Sequence, residues 1–107
     1  MPAYLIVSYD ITDAARYADY VAELRPLLER RGAEVLVIDP DAQAFEGERR
    51  SLHAVLRFAS EQAARAFYFD PAFEPAKVIR RESCENLSVV LAQPRADDPA
   101  SILRSPK

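Results

Sequence analysis

A chain of 107 residues, half of them apolar and 29% charged, has the size and balance of one globular domain rather than two cores or a disordered tract. Its 14 Lys and Arg against 17 Asp and Glu give a net charge of −3, which argues against a nucleic-acid partner, because phosphate binding needs concentrated positive charge. Cys84 stands alone, which excludes an intramolecular disulfide and a cysteine-built zinc site; with no secretory pattern at Met1-Pro2-Ala3-Tyr4 and no membrane-spanning apolar run, a cytoplasmic protein without a membrane partner is expected.

Tyr4 to Asp10 alternates as a first strand, with Leu5, Val7 and Tyr9 on one face and Tyr4, Ile6, Ser8 and Asp10 on the other. Thr12 or Asp13 then caps a helix whose apolar stripe is Tyr17, Val21, Leu24 and Leu28. Pro26 predicts a kink rather than an end, since the stripe continues beyond it, and Gly32 is placed as the left-handed residue that closes the helix. Ala33 to Asp39 is a second strand, apolar on both faces and therefore expected to be covered on both. Gln43 to Gly47 is read as a short extension. Leu52 to Phe58 is the third strand, with Leu52, Ala54, Leu56 and Phe58 facing a core and His53, Val55 and Arg57 facing away.

Ser60 caps a second helix over Glu61–Phe67. Asp70-Pro71 starts another turn anchored by Phe73, Val78 and Ile79, with Pro75 leaving its helical character open. Asn86 to Gln93 is the fourth strand, carrying Leu87, Val89 and Leu91 on one face. The domain is expected over 1–93, with 94–107 a polar tail that is mobile or docks on a neighbour through Ile102 and Leu103.

The order strand, helix, strand, strand, helix, strand defines an α+β, ferredoxin-like βαββαβ domain: a four-stranded antiparallel sheet with two helices on one face. The other face keeps Tyr4, Ile6, Val55 and Val90, more apolar surface than a monomer ordinarily shows. A homodimer is therefore expected, two sheets packing together into an α/β barrel.

Tyr4 to Asp13 with Tyr17-Ala18-Asp19-Tyr20, the Leu56-Arg57-Phe58-Ala59-Ser60 and Ala63–Tyr68 stretches, and Asp70-Pro71-Ala72-Phe73-Glu74-Pro75 resemble the domain-of-unknown-function 1330 family. Phe45-Glu46-Gly47 is similar to the short Leu-Glu-Gly segment between its middle strands. The resemblance covers roughly residues 3 to 92 and implies the dimeric α/β-barrel group, which also holds cofactor-free monooxygenases, isomerases and stress-response proteins. Three departures stand out: Arg57 where an acid is usual, Phe73 where a tyrosine is usual, and Arg31-Gly32 in place of a double glycine. The resemblance implies no catalytic residues.

His53 and Arg57 share one side of their strand, and by parity Ser8 and Asp10 share it too. These four are the substrate-binding candidates, with any pocket expected over that polar face: Arg57 to clamp a carboxylate or enolate, His53 to move a proton. The alternative is structural, with Arg57 ion-paired to Asp10 or to an acid of a partner. The Arg49-Arg50 and Arg80-Arg81 pairs read as solvated, and no residue set suggests a metal or cofactor. Two functions remain: a cofactor-free, monooxygenase- or isomerase-like protein acting on a small apolar or aromatic carboxylate, or a non-catalytic dimer that binds a ligand or partner.

Overall fold

The computed structural model describes residues 1–104. Strands β1 (Ala3–Ile11), β2 (Glu34–Asp39), β3 (Leu52–Phe58) and β4 (Cys84–Ala92) form one antiparallel sheet in the order β2-β3-β1-β4. Helices α1 (Ala14–Arg30), α2 (Glu61–Tyr68) and α3 (Glu74–Ser83) connect them, with a short 3-10 turn at Pro71–Phe73 before α3. This is the ferredoxin-like α+β fold.

Local sequence sets each boundary. The Asp13 side chain accepts the Arg16 N–H at 3.0 Å and starts α1. The same helix ends in a Schellman pair, in which Ala33 N–H reaches Leu28 O at 3.0 Å and Gly32 N–H reaches Glu29 O at 3.1 Å. Gly32 sits at φ 68° there, a conformation that side chains resist. Ser60 caps α2 by accepting from Ala63 N–H, and Asp70 accepts from Ala72 N–H to begin the 3-10 turn. Helix α1 runs through Pro26, as the continuing stripe requires.

The core lies between the sheet and the helices. All four inward residues of β3 are buried, and Phe58, only 1% exposed, stacks 5.4 Å from Phe67. Phe58→Ala should remove about 3–5 kcal/mol of stability, seen as a fall in melting temperature of at least about 12 °C in a thermal scan. On α1 the deepest residues are Tyr20 and Leu27, with Tyr17, Val21, Leu24 and Leu28 half-buried around them. The inward face is thus centred a little off the stripe read from the sequence.

Three further differences have physical causes. Strand β2 is an edge strand, and Val35, Leu36, Val37 and Ile38 are each 44–57% exposed, so this apolar run is not covered within the chain. Residues 40–51 form a loop instead of extending a strand, with Phe45 95% exposed. Helix α3 forms despite Pro75, because proline in a first turn lacks only an N–H that the helix leaves unpaired there. Its inward face is Phe73, Ala76, Lys77, Arg80 and Ser83, leaving Val78 44% exposed. Strand β4 follows directly, its register against β1 shifting between Ser8 and Asp10, and Asn86 in that irregular stretch adopts φ 56°.

Asp70 ties these parts together. Its buried carboxylate accepts from Ala72 N–H at 2.9 Å and pairs with Arg31 at 2.9 Å and Arg30 at 3.2 Å. The Ala72 N–H, more than the two arginines, holds its pKa below the usual carboxylate value. A depressed folded pKa means stability that is complete above the unfolded value near pH 4 and lost as pH falls through the folded one. Urea titrations from pH 7 to 2.5 should show this acid loss in the wild type and a shallower one in Asp70→Asn, which starts from lower stability at pH 7. The tail beyond residue 93 carries an exposed 3-10 segment, Pro99–Arg104, with Leu103 83% exposed. The part of the expected tail at 105–107 lies outside the described residues.

Candidate functional site

The outer sheet face is ordered in rows across the strands. Val37, Val55, Ile6 and Val90 pair in sequence across β2, β3, β1 and β4, making one apolar row. On one side of it lie Asp39, His53, Ser8 and Ser88, and on the other Glu34, Arg57, Tyr4 and Ala92. Ser8 and His53 are therefore direct cross-strand neighbours. Arg57 is two rows away and pairs with Glu34 at 3.4 Å, not with Asp10. Asp10 accepts from Asn86 Nδ2 at 2.8 Å, Ser51 N–H at 2.9 Å and Arg50 Nη1 at 3.2 Å. These bonds, that to Asn86 foremost, lower its pKa and pin the β2–β3 loop to the irregular stretch of β4. His53 Nδ1 is buried without a hydrogen-bond partner among the described residues. The structure brings Ser8 and His53 together and leaves Arg57 and Asp10 separately engaged.

The larger cavity lies on the opposite side of the sheet, against the helices. It measures about 240 Å³ and is floored by Leu5, Val7, Tyr9, Leu52, Ala54 and Leu56 of the central strands. Tyr17, Tyr20, Val21, Leu24 and Leu28 of α1 wall one side, and Phe67, Tyr68, Phe73 and Arg80 another. None of Ser8, Asp10, His53 and Arg57 lines it. A pocket expected over the polar face of β3 is thus found over its apolar face, where Ala54, a small side chain, shares the lining with helix residues and with Val35 and Ile38 of the β2 edge.

Its polar groups are few: four tyrosines and two arginines among the described residues. The Tyr9 and Tyr17 hydroxyls are 2.6 Å apart, and the Tyr17 and Tyr20 rings are 5.7 Å apart. Burial pushes the Tyr9 and Tyr17 pKa values up and that of Tyr20 up to about 12, so all three are neutral phenols at ordinary pH. Arg80 is 4% exposed. It donates from Nη2 to the Tyr68 hydroxyl at 3.1 Å and lies 5.6–6.0 Å from the Tyr20, Tyr68 and Phe73 ring centres. Its Nε is buried with no hydrogen-bond partner, and no carboxylate is within ion-pair distance, among the described residues. Burial opposes the charge on Arg80, but Tyr20 and Tyr68 outweigh it and its pKa is raised. Arg25, exposed on α1, stands at the rim.

The Arg80-Arg81 pair, expected to be solvated, is split: Arg81 is exposed and Arg80 is buried. Its signal was the spacing from Phe73: positions three, four, seven and ten residues on are Ala76, Lys77, Arg80 and Ser83, the face that α3 buries. Cys84 is buried beside Tyr9, Leu52 and Ala54, and burial raises its thiol pKa, the wrong direction for a nucleophile. Among the described residues, no group of three or more His, Cys, Asp or Glu side chains could hold a metal.

The molecule is thus an α+β, ferredoxin-like domain with an apolar cavity under its helices and, in the cavity wall, a buried arginine without a counter-ion among the described residues. Residues 2–93 match the family described as domain of unknown function (DUF1330), and the chain belongs to that family. No curated protein matches the sequence. Among solved structures, the chain is similar to a protein of unknown function from Rhodopseudomonas palustris, at 18% identity over 89% of this chain and 83% of the other, with TM-score 0.75. It is similar to a dimeric ferredoxin-like protein of unknown function from Jannaschia sp., at 20% identity over 87% and 99%, with TM-score 0.71. It is also similar to SnoaB, a cofactor-independent oxygenase from Streptomyces nogalater, at 12% identity over 89% and 94%, with TM-score 0.59. At such identities the likeness is one of fold.

Proposed function

We propose that this chain is a homodimeric small-molecule protein that takes an apolar or aromatic carboxylate, or an enolate or phenolate of like shape, into the helix-side cavity. The observation that carries this reading is Arg80, a buried guanidinium with an unused Nε and no carboxylate partner among the described residues. An ionised ligand oxygen supplies the missing counter-charge and accepts a charge-assisted hydrogen bond. The apolar floor takes the rest of the molecule. Arg25 at the rim favours entry of an anion.

Among the described residues the lining contains no histidine and no carboxylate, and its phenols are poor bases. This favours ligand binding, or chemistry on a substrate that ionises by its own acidity, over abstraction of an unactivated proton. The oxygenase among the structural neighbours works without a cofactor; cofactor-free chemistry here follows if Arg80 stabilises an enolate that reacts further. A thermal-shift panel tests the reading. Small aromatic and aliphatic acids should raise the melting temperature while their amides do not, and equal effects of acid and amide would count against it.

The dimer forms through the outer sheet face. Ile6, Val37 and Val90 of its apolar row are 46–51% exposed in the single chain, and the Jannaschia neighbour is dimeric. Light scattering at micromolar concentration should give twice the mass of the 12.0 kDa chain.

A further inference from the structure

A second cavity of about 190 Å³ opens between α2 and strands β1 and β4. It shares Leu5, Tyr68 and Val89 with the first, and adds Ala64, Leu91 and an exposed rim at Phe69. Two chambers with Tyr68 as their common wall form a divided space, and the phenol that divides them is held by Arg80. An anion accepting from the unused Nε therefore sits on the same guanidinium that holds the dividing phenol.

Resting on the proposed anion site, we infer that the two cavities form one bipartite site and that its ligand is an acyl-chain carboxylate, with its head on Arg80 and its chain running past Tyr68 to Leu91. Size and shape both point there. A dry cavity of about 150 Å³ already holds benzene, so the first chamber of about 240 Å³ takes a short acid whole and leaves a longer one to cross the partition. A fused polycycle needs one continuous slot. A flexible chain bends around a tyrosine edge. The second chamber offers such a chain Ala64, Val89 and Leu91, with the charge of Arg65 occupied by Glu61 at 2.8 Å.

Calorimetric titration of the full chain with hexanoate, octanoate and decanoate reads this directly. Affinity should rise about fourfold per added methylene. Leu91 lines only the second of the two chambers, so Leu91→Phe should abolish that rise while leaving hexanoate within about twofold of wild type. Methyl NMR on the unaltered protein provides an arm that needs no variant: decanoate should shift Leu91 and Ala64 resonances and hexanoate should not. If hexanoate binds but longer chains gain nothing, or the gain survives in a folded Leu91→Phe, the bipartite site is overturned and the anion cavity stands. A gain with 2-naphthoate and 2-anthroate but not with decanoate overturns the acyl assignment. If no acid of any length binds, the anion cavity falls and this inference with it.

Discussion

Arg80→Met is expected to weaken carboxylate binding by about 100-fold, near 3 kcal/mol, while leaving the protein as stable as the wild type or more so. The two effects have opposite signs for one reason. A guanidinium 4% exposed has lost most of its water, and the groups it meets, the Tyr68 hydroxyl at 3.1 Å and Tyr20, are neutral phenols. Tyr20 and Tyr68 raise the Arg80 pKa as acids, but near pH 7 they carry no charge to offset the cation. Replacing an uncompensated buried charge with an apolar side chain of similar reach is neutral to stabilising, so the melting temperature should hold or rise by about 5 °C for each kcal/mol gained. Arg80→Lys keeps the charge and loses the planar fork, so its affinity should fall between the two. Calorimetry with hexanoate and thermal scans without ligand supply both readings. Undiminished binding by a folded Arg80→Met removes the anion site. A large loss of stability instead makes Arg80 a packing residue.

The same arginine marks where the sequence stopped being informative. Alternation made β3 legible, because Leu52, Ala54, Leu56 and Phe58 repeat every second residue and all four are buried. Capping chemistry fixed the helix starts at Asp13 and Ser60 for similarly local reasons. Strand β2 departs from its expected cover because an apolar run does not reveal a strand's place in the sheet, and at the edge Val35 to Ile38 stay about half exposed. On α3 the local rule, arginine outside, lost to tertiary packing: Phe73 turns into the core, and the helical period carries Arg80 in with it. His53 and Arg57 drew attention as polar residues on an apolar strand, yet a strand has two faces, and the cavity formed over the other one. Nothing in the spacing of one chain says on which side the helices leave room.

A single charge at the centre of the outer face should separate assembly from the cavity. Val55 sits between Val37 and Ile6 in the apolar row, so in a dimer packed sheet to sheet Val55→Asp buries a carboxylate without a partner. Two-fold symmetry introduces it twice. Each such group costs several kcal/mol, so the dimer constant should weaken by more than about 1000-fold and the protein should sediment as a monomer at micromolar concentration. Asp also suits a strand poorly, at about 1 kcal/mol; Val55→Thr keeps the β-branched shape and should remain dimeric, which separates charge from strand propensity. The cavity lies on the other side of the sheet and is walled by residues of a single chain, so monomeric Val55→Asp should bind hexanoate within a few-fold of wild type. A variant that stays dimeric at micromolar concentration refutes the sheet-to-sheet arrangement. A folded monomer that no longer binds acids shows instead that a second copy completes the site, most directly by covering the open β2 edge where Val35 and Ile38 meet the cavity.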